Sequence, residues 1–123
     1  MREITGAERE LLRRFAKLQI SVDGLMSAFA GVFEFEFSED SRKFSSNLYL
    51  VEPGIEVTLD DIRHAVEYEA IGVISAHELC RWATMLRLNE AFVWNYENDF
   101  VVDALDVLSM PKLFKKPAWF QAS

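Results

Sequence analysis

Three short signatures fix where helices can start in this chain, and they constrain its fold more than any other feature. Thr5-Gly-Ala-Glu8, Thr58-Leu-Asp-Asp61 and Ser75-Ala-His-Glu78 each place a hydroxyl three residues before a carboxylate. At that spacing the hydroxyl accepts from an orphan amide of the first turn while the carboxylate reaches back to the cap amide, so the helix start is set locally. An apolar stripe at helical spacing follows each one: Leu11, Leu12, Phe15 and Leu18, continuing to Gln19; then Ile62, Ala65, Val66 and Ala70; then Leu79, Trp82, Ala83 and Leu86. Ser21 caps a further helix carrying Val22, Leu25, Met26, Phe29 and Ala30. Gly31 and Gly72 stand where helices need a stop. The last helix, about Glu97 to Ser109, is expected to bury Phe100, Val101, Ala104, Leu105 and Leu108, and Pro111 ends it.

Between the second and third helices the period changes from helical to alternating. Phe33, Phe35 and Phe37 alternate with Glu34 and Glu36, the pattern of a half-buried strand. The polar run Ser38 to Ser46 reads as a loop leading to a second strand, Leu48 to Val51. Pro53-Gly54 marks a turn into a short strand, Ile55 to Val57. Phe92, Trp94 and Tyr96 alternate again in an extended connection. The expected fold is α+β, mainly α: about five helices with a small antiparallel sheet, a hairpin near residues 33–57. One domain, 1–123, accounts for the length, with 111–123 as a C-terminal tail that either docks or extends.

Charge is distributed by region. From Thr58 to Met110, ten acidic residues face Arg63, Arg81 and Arg87, a balance of minus 7, whereas Lys112, Lys115 and Lys116 make the tail basic. With a pI near 4.8, the surface should repel nucleic acid and anionic membranes, which need clustered Lys and Arg. Arg9, Arg13, Arg14 and Lys17 are interleaved with Glu8 and Glu10, so they read as a solvated helix face with internal ion pairs. Leu25 to Phe33 is the longest apolar-rich stretch, interrupted by Ser27 and too short to span a bilayer, and residues 1–5 lack the apolar core of a signal peptide. The single cysteine, Cys80, rules out an intrachain disulfide and fits a reducing compartment. The expected location is cytoplasmic.

Few residues invite catalysis. His64 with Glu67, and His77 with Cys80, make only pairs, whereas zinc or iron sites need three or four converging ligands. Cys80 borders the Leu79 and Trp82 core face of an acidic helix, which is unlike the electropositive setting that activates a thiolate. Glu34 and Glu36 read as the solvated side of an amphipathic strand, not as a glycosidase pair. No phosphate-binding glycine run is present. No cofactor and no metal is expected.

The segments Glu56-Val-Thr-Leu-Asp-Asp-Ile-Arg-His-Ala-Val66 and Ile74-Ser-Ala-His-Glu-Leu-Cys-Arg-Trp-Ala83, with Asn89-Glu-Ala-Phe92 and the acidic last helix, resemble a group of small acidic bacterial proteins. Some of that group are immunity proteins of contact-dependent inhibition and related toxin systems. The likeness covers residues 52–110, and this chain has Gly72-Val73 where a Gly-Glu pair is expected. It implies a non-enzymatic protein-binding domain that blocks a basic toxin domain through an acidic face containing aromatics. Trp94, Tyr96, Glu97, Asp99, Asp103 and Asp106 are the candidate contacts. Asp106 lies near the negative helix end, so Asp103 and Asp106 are expected to answer a basic partner unless the tail lysines Lys112, Lys115 and Lys116 fold back to neutralise them. A self-associating scaffold and a small hydrolase or transferase stand as the alternatives.

Overall fold

Helix caps form where the hydroxyl and carboxylate pairs place them. In the computed structural model, which describes residues 2–38, 41–48, 51–95 and 99–109, Thr5 opens α1 (Gly6–Ala16) with both halves of its box made. Thr58 does the same for α3 (Leu59–Ala70). Ser21 caps α2 (Val22–Ala28), its hydroxyl accepting from the Gly24 amide. The Ser75 box is one-sided. Its hydroxyl accepts from the Glu78 amide at the start of α4 (Ala76–Leu88), but the Glu78 carboxylate accepts from Arg81 Nη1 at 3.3 Å. Arg81 Nη2 also reaches Asp23 Oδ1 at 2.9 Å, so the arginine ties α4 to α2. This bond holds the Asp23 carboxyl below its ordinary range.

The helix stops are more varied than the glycines suggest. Gly31 and Gly72 adopt φ of 77° and 82°, the left-handed conformation that glycine tolerates best. Leu18 also does so, at φ 56°, and α1 therefore ends at Ala16 instead of running on through Leu18 and Gln19. Its amide donates to the Phe15 carbonyl and that of Gln19 to the Arg14 carbonyl, and the half-buried Leu18 side chain packs on the core. Packing there outweighs the left-handed strain of a side-chain-bearing residue, roughly 1–2 kcal/mol.

The strands depart most from the expected pattern. β1 (Phe33–Phe37) pairs antiparallel with β2 (Arg42–Ser46), so residues assigned to a loop form the second strand and the hairpin spans 33–46. The register explains it: Glu36 faces Lys43, Phe35 faces Phe44, and the Arg42 guanidinium lies 5.0 Å from the Phe37 ring centroid. The strand is held by its cross-strand pairs and not by a periodicity of its own. Of the expected strand at Leu48 to Val51, Leu48 makes an isolated bridge to Arg2 and Val51 is buried outside any strand. β3 (Ile55–Glu56) pairs in parallel with β4 (Phe92–Val93), so it belongs to a second two-stranded sheet instead of extending the hairpin.

The buried side chains form one cluster. Leu12 and Phe15 from α1, Leu25 from α2, Ile62 from α3, and Leu79, Trp82 and Leu86 from α4 meet Val101, Leu105 and Leu108 from α5 (Asp99–Leu108). Among the described residues helix outweighs strand, the α+β arrangement expected from the sequence. Polar ties cross the helices. The buried Asp61 accepts from the Thr58 amide through one oxygen and from Lys17 Nζ at 3.1 Å through the other, which links α1 to α3. Arg9 donates to the carbonyls of Pro53 and Glu52, while Arg13 and Arg14 sit 3.5 and 3.7 Å from Glu10. The basic face of α1 is thus occupied within the molecule.

Glu8 gives the fold a pH signature. Its carboxylate accepts from Arg2 Nη1 and Nη2, at 2.6 and 2.5 Å, and from the Thr5 amide at 3.0 Å. The arginine bonds are the main cause of a pKa lowered to about 2 from an ordinary 4.5. A depressed carboxyl pKa adds stability that is present above pH 4.5 and is lost as the pH falls toward 2. In urea melts, the stability gap between wild type and Glu8→Gln should therefore be constant above about pH 5 and close toward pH 2. A gap that persists unchanged at low pH would show that the carboxylate charge contributes nothing.

Candidate functional site

The acidic last helix, α5, carries half of the candidate contacts, and its own packing determines which side faces outward. Val101, Ala104, Leu105 and Leu108 recur at i, i+3, i+4 and i+7 and are all buried, against α4 and α3. Phe100 does not join them as the sequence pattern implies. It is 53% exposed, because it falls outside the stripe defined by the other four. Asp103, three residues on, is exposed and makes no ion pair among the described residues. A large aromatic and an uncompensated carboxylate therefore sit within one turn of each other on the outer side of α5.

The six candidate contacts separate accordingly. Asp103 has no ion partner among the described residues. Asp106 has one, since its Oδ1 accepts from Arg87 Nε of α4 at 2.7 Å, with both side chains a little over two-fifths exposed. The cation that offsets Asp106 at the negative end of α5 thus comes from the neighbouring helix, and α5 has no basic residue in its own last turn. Trp94 follows β4 and is half-buried against the core. Asp99 opens α5, but its side chain lies outside the described residues, as do Tyr96, Glu97 and the tail from Met110, including Lys112, Lys115 and Lys116. Sequence reasoning missed Phe100 as a surface residue. The signal was present in that Val101, Ala104, Leu105 and Leu108 alone complete a helical stripe.

The segment that includes α5, from Thr58 to Met110, carries a net negative charge. Of the three arginines there, Arg81 is held by Asp23 and Glu78 and Arg87 by Asp106, while the exposed Arg63 makes no ion pair among the described residues. Asp60, Glu67 and Glu90 make no ion pair among the described residues, and like Asp103 they add to the negative charge of the segment.

The residues that could have done chemistry are arranged otherwise. His77 packs edge-on against Phe37 with ring centroids 5.4 Å apart, and His64 lies 4.1 Å from the Tyr68 ring. Cys80 is buried, and burial pushes its thiol pKa up, away from the reactive thiolate. Glu34 and Glu36 lie on the exposed side of β1. Among the described residues no group of three or more His, Cys, Asp or Glu could hold a metal ion, and no helix is long and apolar enough to cross a membrane. No family model, curated protein or solved structure matches this chain.

Proposed function

We propose that this chain is a non-enzymatic protein-binding domain that acts in the cytoplasm, and that its contact face is the outer side of α5. The partner is a basic protein of the kind that an immunity-type inhibitor covers on a toxin. The observation that carries this reading is the exposed Phe100 beside Asp103, a carboxylate with no ion partner among the described residues. Interfaces draw most of their affinity from a few aromatic or charged anchors set in a patch that excludes water. An acidic surround speeds encounter with a basic surface, and the α5 region supplies that surround. Asp106 contributes to the field while its Arg87 pair holds the side chain in place.

A photo-crosslinking residue at position 100, introduced in the native cell, is expected to trap one basic protein. With that partner purified, Phe100→Ala should weaken binding by about tenfold or more, equivalent to about 1.4 kcal/mol. Asp103→Lys should slow association and flatten its salt dependence without lowering the melting temperature, because it breaks no ion pair among the described residues. Asp106→Lys is the poorer probe, since it would set a second cation against Arg87. Crosslinks only to a second copy of this chain would replace the reading with self-association. Trapping no stronger than from exposed Glu34 on the hairpin would remove α5 as the contact face.

A further inference from the structure

Away from α5, a cleft of about 440 Å³ opens where the end of α4 meets the hairpin. Phe33, Phe44, Leu48, Val51, Leu88 and Ala91 supply its apolar lining. Its size falls within the range of roughly 300–1,000 Å³ that small-molecule sites occupy, and such sites combine apolar walls with a few fixed polar groups. Asn89 supplies the fixed group. It lines the cleft and is only 4% exposed. Its backbone amide donates to the Met85 carbonyl, its carbonyl accepts from the Phe92 amide, and its side-chain Oδ1 accepts from the Ala91 amide at 3.0 Å. Because Oδ1 is tied down, the amide cannot turn over, and Nδ2 is left buried with no hydrogen-bond acceptor among the described residues. A buried donor left unpaired lowers stability, and because Asn89 is one of the residues lining the cleft, an acceptor entering there could pair Nδ2 once the side chains covering it give way.

The surroundings define that acceptor. Ser46 Oγ accepts from the Leu48 amide and so has its hydroxyl hydrogen to donate. No Lys or Arg is among the described residues lining the cleft, and Glu90 is. Donors without a cation, beside a carboxylate, favour a neutral acceptor over an anion. We propose that this cleft binds a small, uncharged, mainly apolar molecule whose carbonyl oxygen accepts from Asn89 Nδ2.

The test uses the neutral ketone dye 6-propionyl-2-(dimethylamino)naphthalene, whose emission moves to the blue in apolar surroundings. Saturable one-to-one binding with blue-shifted emission is expected. Ser45→Trp, at an exposed position on the cleft wall, should abolish it by filling the space. Asn89→Asp, which keeps the acceptor for the Ala91 amide and removes the donor, should weaken it at least tenfold. The carbonyl stretch of dye bound to wild-type protein should lie at the lower frequency of a hydrogen-bonded ketone, a reading that stands even where Asn89→Asp misfolds. Absence of saturable binding, or binding that survives Ser45→Trp, would overturn the site. A carbonyl stretch at the free frequency, or undiminished binding by folded Asn89→Asp, would overturn the role of Asn89. Loss of binding on replacing both Ile71 and Val73 by Ser would place the dye instead on the exposed turn between α3 and α4 and overturn the cleft as well.

Discussion

Trp82→Ala should destabilise this protein by about 3–5 kcal/mol, the usual cost of truncating a large aromatic in a packed core. Trp82 is fully buried, and its indole Nε1 donates to the Phe15 carbonyl at 3.0 Å, joining α4 to the end of α1. It also lines a small cleft together with Ile20 and Val22 of the α1–α2 elbow, so the truncation loosens α4 where it meets α1 and α2. Domains of this size have a total stability of about 5–15 kcal/mol, and the variant should sit near its unfolding threshold at moderate temperature. Trp82→Phe is expected to cost much less, because the Phe15 carbonyl keeps the Leu18 amide as a donor and is not orphaned. Urea unfolding with an unchanged slope measures both values. A loss below about 1 kcal/mol for Trp82→Ala would mean that the core repacks around the gap, contrary to the close packing described.

Gly54→Ala should also destabilise, by about 1–3 kcal/mol, although alanine for glycine ordinarily gains about 0.4–1 kcal/mol by restricting the unfolded chain. The adverse effect wins because β3 and β4 approach closely here. A Cβ at residue 54 would lie 2.6 Å from Val93 Cγ1 and 2.9 Å from Cγ2, with the Ala91 carbonyl oxygen at 3.3 Å. Both methyls sit on the same Cβ, so turning the valine side chain cannot clear both. Nor can the backbone withdraw without loss, since the Ile55 and Val57 amides donate to the Ala91 and Val93 carbonyls at 2.8 Å each. Removing the obstruction with Val93→Ala should restore most of the stability, giving a favourable coupling of roughly 1–2 kcal/mol in a double-mutant cycle. Additive effects in that cycle would show that the cost arises in the turn before β3 and not in the contact with Val93.

The sequence by itself determined what a few neighbouring residues can decide. A hydroxyl and a carboxylate three apart close a cap within one turn, so α1 and α3 begin where Thr5 and Thr58 place them. A glycine after a helix accepts positive φ without help from the rest of the fold, as Gly31 and Gly72 do. Apolar residues at helical spacing identified the buried face of α4, and Trp82 lies at its centre. Acidity between Thr58 and Met110 was also legible, because charge is additive along a chain.

Tertiary structure decided everything that depends on a distant partner. β2 exists because Phe44, Lys43 and Arg42 meet Phe35, Glu36 and Phe37, and no period within Ser38 to Ser46 announces those contacts. The parallel pairing of β3 with β4 joins residues separated by two helices, so nothing local could choose it over an antiparallel sheet. Leu18 takes a left-handed conformation against its own preference because the core holds its side chain. On the candidate face the same division holds. Sequence spacing placed Asp103 and Asp106 on one side of a helix. Only the packing of α4 beside α5 gave Asp106 to Arg87, left Asp103 without an ion partner among the described residues and turned Phe100 outward. Helix starts and charge are short-range or additive properties of a chain, whereas exposure and pairing are set by which elements come to lie side by side.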